Sequence, residues 1–77
     1  MAGKATTWED RAKRFLKAEL KRADVNYADL AKRLEGHGLK ETEASIANKL
    51  SRGTFAATFF LASLTAIGCT TVPLAEL

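Results

Sequence analysis

The 77-residue chain has one cysteine, one proline and one histidine, and no charged side chain anywhere from residue 53 to residue 75. Each scarcity excludes something. A lone thiol, Cys69, cannot close an internal disulfide, which argues against a secreted scaffold and for a reducing cytoplasm. His37 stands in a glycine turn with no Cys, His or carboxylate pattern to complete a metal site, so neither metal nor cofactor is expected. One proline and five glycines, set against 47% hydrophobic and 27% charged residues, exclude disordered and fibrous classes. Long apolar runs are also missing. The densest stretch, Phe55 to Ile67, is broken by Thr58, Ser63 and Thr65 and falls short of the roughly 20 residues a spanning helix needs, so no membrane contact is expected. Met1-Ala2-Gly3-Lys4 runs directly into a charged segment without an apolar h-region, so no signal peptide is expected either. No triad, metal set or phosphate loop is present, and an enzyme is not expected.

What is present is an uneven charge distribution. All twelve Lys and Arg, and every acid except Glu76, lie within residues 1–52, and the pI is near 9.3. A basic half reads as a footprint for phosphates, and a charge-free half as core or shared interface. The length suits one domain, because a core this small already buries only about 60% of the surface of the unfolded chain.

Periodicity and capping signals predict four helices. Thr6-Thr7 followed by Glu9 and Asp10 opens the first, which reaches about Arg22. Trp8, Ala12, Phe15, Leu16, Leu20 and Ala23 fall on its apolar face, and Glu19 interrupts that face. A carboxylate there calls for an arginine partner, with Arg52 or Arg33 in reach within a compact bundle. Asn26 caps a second helix over residues 27–35, with Val25 stapled to Leu30 and Gly36 as a left-handed stop. Thr42 caps a third, reaching about Ser51, with Ile46, Ala47 and Leu50 inward. After Gly53, Thr54 opens a fourth helix that is apolar nearly all round and ends at Gly68. The tail, residues 69–77, holds β-branched residues and Pro73 and should be extended. The expected fold is therefore all-α: a small four-helix bundle over residues 7–68 with a short extended C-terminal tail.

The run Tyr27-Ala-Asp-Leu-Ala-Lys-Arg-Leu34, then Ile46-Ala-Asn-Lys-Leu-Ser-Arg-Gly53, then a final apolar helix, resembles the repressor-type helix-turn-helix proteins of the Cro and C1 class. Leu30-Ala31 resembles that family's positioning-helix pair, and Leu50-Ser-Arg-Gly53 the end of its recognition helix. Trp8-Glu-Asp-Arg-Ala-Lys-Arg-Phe-Leu-Lys-Ala-Glu-Leu20, with the Asn-Lys-Leu-Ser-Arg-Gly segment, is similar to an uncharacterised bacterial family of small domain-of-unknown-function proteins. The first resemblance implies a transcriptional regulator that binds double-stranded DNA as a homodimer. The turn over residues 36–41 is longer than the roughly 3–4 residues usual between such helices.

On this reading Ser45, Asn48, Lys49 and Arg52 are the base-reading candidates, since Asn pairs bidentately with adenine and Arg with guanine. Arg14, Lys17 and Lys21 form a basic ridge for phosphates, extended by Lys32 and Arg33 if the first two helices pack side by side. Phe55, Phe59, Val72 and Leu74 are the expected dimer interface, because an all-apolar helix cannot hide every face in so small a bundle. The competing expectation is a protein-interaction module that uses the apolar fourth helix without binding DNA.

Overall fold

Side-chain caps read from the sequence set the starts of the first three helices in the computed structural model, which describes residues 7–77. Thr6 and the Met1–Lys4 stretch lie outside the described residues. The elements are α1 Trp8–Ala23, α2 Tyr27–Glu35, α3 Glu43–Arg52 and α4 Ala57–Ala66, followed by a 3₁₀ turn over Leu74–Glu76, with no strand among the described residues. Thr7 Oγ1 accepts from the Asp10 amide at 3.1 Å, and Asn26 Oδ1 from the Asp29 amide at 2.7 Å. Thr42 and Ser45 cap reciprocally: Thr42 Oγ1 accepts from the Ser45 amide at 3.0 Å and Ser45 Oγ from the Thr42 amide at 2.9 Å. Each such bond satisfies an amide that has no partner inside its helix.

The fourth start differs from expectation. It falls at Ala57, with Ala56 as a cap residue that makes no side-chain bond, and not at Thr54. An apolar contact fixes the entry of the chain there instead. The Phe55 ring stacks on Phe60 at 6.0 Å and tilts against Phe59 at 5.4 Å, so the residue before the cap is pinned to the first turn. The end of α2 is also displaced. Gly36 is right-handed (φ −66°), and the left-handed residue is Gly38 (φ 82°). The Leu39 amide reaches back to the Leu34 carbonyl at 3.0 Å and the Gly38 amide to the Glu35 carbonyl at 3.1 Å. That pair of bonds places the left-handed position two residues beyond Gly36.

Leu16 and Leu20 of α1, Val25, Leu30 and Leu34 around α2, Ile46 and Leu50 of α3, and Phe59 and Leu64 of α4 form one buried cluster. Removing any of these side chains from water is worth about 1.5–3 kcal/mol. Both α1 and α2 pack on α3 and on α4, but α1 and α2 do not pack on each other. Trp8, expected in the core, is 65% exposed. It begins α1 two turns ahead of Leu16, where the buried stripe starts, and the Arg11 guanidinium lies over its ring at 4.7 Å.

The tail is less extended than its composition suggests. Val72 packs against the core, and after Pro73 (φ −77°) the chain closes into the 3₁₀ turn. The Cys69 thiol donates to the Thr71 carbonyl at 3.2 Å. No helix of the described residues is long and apolar enough to cross a membrane.

Candidate nucleic-acid interface

Ile46 and Leu50 turn one side of α3 into the bundle, so its opposite side presents Ala44, Asn48, Ser51 and Arg52 to solvent. Asn48 and Arg52 lie one turn apart there. Neither side chain makes a hydrogen bond or ion pair within the described residues. Ser51 was not among the sequence candidates, although it stands one turn after Asn48 and beside Arg52 on the same side. Stepping 100° per residue from the buried pair would have found it.

Ser45 and Lys49 lie on a flank of α3 and are engaged elsewhere. Ser45 Oγ closes the cap of its own helix and donates to Glu41 Oε1 at 2.6 Å. The Lys49 ammonium donates to Glu41 Oε2 at 2.5 Å and lies 5.1 Å from the Phe59 ring centroid. Burial alone would push the Glu41 carboxyl up. The Lys49 and Ser45 hydrogen bonds and the Lys49 charge outweigh it and hold the carboxyl below its ordinary value. The four base-reading candidates therefore divide into an exposed pair and a pair bound to the preceding turn.

The phosphate candidates also divide. Arg14, Lys17 and Lys21 are exposed along α1, spaced to share one side of the helix. Lys32 and Arg33 are exposed on α2, but the two helices do not pack together, so the continuous ridge expected from a side-by-side arrangement does not form. Each of the two helices packs instead on α3 and on α4. Arg33 Nη1 donates to the Ala66 carbonyl at 3.2 Å. Glu19 is half-buried and paired with an arginine as expected, though with its own-helix neighbour Arg22 at 2.9 Å and not with Arg52 or Arg33.

The expected dimer surface is largely used inside the chain. Phe59 is 2% exposed, Phe55 is half-buried in the aromatic contacts described above, and Val72 packs on the core. With α1 and α2 both packed against α4, the bundle covers more of that helix than its apolar composition suggests. Leu74 remains exposed at 73%. Leu61, absent from the sequence candidates, is the exposed large apolar residue of α4, at 56%.

Comparison with curated proteins and with solved structures gives no match. A family model does match, over residues 8–72, which takes in all four helices and the start of the tail, and the chain therefore belongs to the family described as domain of unknown function (DUF6471).

Proposed function

We propose that the chain is a DNA-binding module of repressor helix-turn-helix type that lays the exposed side of α3 in the major groove. The observation that carries this reading is the Asn48, Ser51 and Arg52 face. It joins an adenine-reading amide and a guanine-reading guanidinium one turn apart, on a helix whose other side is locked by Ile46 and Leu50. Arg14, Lys17 and Lys21 on α1 supply sequence-independent phosphate contacts. The turn over residues 36–41 is longer than usual, but the Glu41 bonds to Ser45 and Lys49 tie it to the helix it precedes. The role is binding without catalysis, in the cytoplasm, and a homodimer would let two copies of α3 reach half-sites about 34 Å apart.

A second reading is favoured by one observation, the uncharged stretch of residues 53–75 that leaves Leu61 and Leu74 exposed. On that reading the module binds a protein partner through α4 and has no affinity for DNA.

Selection of bound duplexes from a random pool, followed by titration across a salt series, separates the two. The DNA reading expects an enriched motif and an affinity that falls steeply with salt. No enrichment, with partner binding that salt barely changes, would favour the second.

A further inference from the structure

Ser45 and Lys49 stand one turn apart on one flank of α3, while Asn48 and Arg52 stand one turn apart on its exposed side. What separates the two pairs is Glu41. Its side chain is 10% exposed, and its two oxygens are divided between the Ser45 hydroxyl and the Lys49 ammonium. Lys49 has a second hold, the face of Phe59, a ring anchored in the core. To reach a phosphate the ammonium would have to leave both partners. The carboxylate left behind would then stand beside the phosphate as a like charge.

We propose that Glu41 is a specificity-determining residue of the α3 face: by holding Lys49 and Ser45 it keeps a sequence-blind cation off the phosphates and leaves recognition to Asn48, Ser51 and Arg52. The inference rests on the DNA-binding reading above. Its physical basis is that an ammonium on a flexible stem acts as a point charge. A phosphate contact from it strengthens every duplex alike, whereas contacts to base edges strengthen only some. A released Lys49 therefore raises affinity and lowers discrimination together.

The test compares wild type, Glu41→Gln, Lys49→Met and the double variant. Each is titrated against the duplex recovered by selection and a scrambled duplex of equal length, across a salt series, with circular dichroism confirming the fold. Glu41→Gln is expected to steepen the log–log salt slope on the scrambled duplex by about 0.9, one added phosphate contact. An about fourfold drop in salt then strengthens its binding about 3.5-fold more than that of wild type. Its ratio of selected to scrambled affinity should fall. Lys49→Met should keep the wild-type slope, and the double variant should lose the steepening because the released cation is gone. A shallower slope for Lys49→Met would show Lys49 already on a phosphate and overturn the inference. So would a steepening that survives in the double variant, which would trace it to the lost carboxylate charge alone. Should Glu41→Gln not fold, a shallower Lys49→Met slope still overturns the inference. A wild type that binds no duplex overturns the DNA-binding reading and this inference together, whereas the other failures leave that reading standing.

Discussion

The guanidinium of Arg33, on α2, donates to the main-chain carbonyl of Ala66, the last residue of α4, at 3.2 Å. The carbonyls of a final helical turn lack partners inside the helix and carry its negative dipole end, so an arginine there satisfies a bond and meets a favourable field. Arg33 is thus a fastener between two helices. Arg33→Ala is expected to lower stability by about 0.5–1 kcal/mol, the modest value reflecting solvent exposure. On the DNA-binding reading proposed above, it should leave the salt slope on duplex DNA nearer to wild type than Lys17→Ala does. A slope loss equal to that of Lys17→Ala, with an unchanged urea midpoint, would return Arg33 to the phosphate-binding set.

Glu19 gives a second expectation. The Glu19 side chain is only 14% exposed, but its partner Arg22 is 74% exposed, so water screens the pair from the arginine side and loss of the carboxylate leaves no buried charge behind. Glu19→Ala should then cost about 0–1 kcal/mol, below the roughly 3–5 kcal/mol that follows when a buried pair is broken. Thermal unfolding reads the difference. A fall of several degrees corresponds to about 1 kcal/mol in a domain of this size, and a much larger fall would mean that Glu19 holds more than Arg22.

These two residues show where the sequence could be read and where it could not. Thr7, Asn26 and Thr42 announce helix starts because a cap is a bond across three residues, and its parts lie side by side in the chain. Val25 and Leu30, expected to meet across the Asn26 cap, are both buried in the core cluster. At the start of α4 no side chain caps the helix, and Phe55, an apolar residue before an apolar helix, carries no boundary signal. Glu19 was legible as a carboxylate needing an arginine, but the choice among arginines depends on how helices pack. That α1 avoids α2 is a tertiary fact with no local pattern. In the candidate site, periodicity placed Asn48 and Arg52 on one side of α3. The hold of Glu41 on Lys49 spans eight residues and a turn whose path no spacing rule specifies.

The Glu41 carboxyl, held below its ordinary value of 4.5, makes stability depend on pH. A group whose pKa is lowered by folding contributes stability that is complete above its unfolded pKa and is lost as pH falls through the folded one. The urea midpoint of the wild type should therefore fall on acidification below about pH 4.5. Glu41→Gln should start lower at neutral pH and lose less over the same interval. Parallel curves for the two proteins would show that the carboxylate adds nothing to stability in the folded state.

Ser63 is fully buried on α4, and its hydroxyl is a buried side-chain polar atom without a hydrogen-bond partner among the described residues. A buried hydroxyl left unpaired costs its desolvation, about 1–3 kcal/mol, while the methyl group of alanine carries no such cost. The volume lost on Ser63→Ala is one oxygen atom, so the cavity penalty is small. The variant should be as stable as wild type or more stable by up to about 1 kcal/mol. A clear loss of stability in urea unfolding would mean that the hydroxyl is bonded in solution.

Gly53 ends α3 immediately after Arg52 with φ 74°, and its amide donates to the Lys49 carbonyl at 2.9 Å. Gly38, at the end of α2, has φ 82°. An L-residue in either place bears the cost of the left-handed region, about 1–2 kcal/mol. The two sites differ in what a side chain would meet. A Cβ at Gly38 finds nothing within 4 Å, whereas one at Gly53 would stand 3.2 Å from the Glu9 carbonyl oxygen and 3.3 Å from the Glu9 Cβ. The first turn of α1 therefore rests directly on the end of α3, at a distance where an added Cβ would be crowded. Gly38→Ala should cost the conformational term alone. Gly53→Ala should cost that and more, because the main chain at Glu9 must give by a few tenths of an ångström. Urea unfolding of the two variants measures the difference, and amide shifts in α1 on Gly53→Ala locate it. Equal losses, with α1 unperturbed, would show that the contact between α1 and α3 yields without cost, so that Gly53 is needed only for its backbone angle.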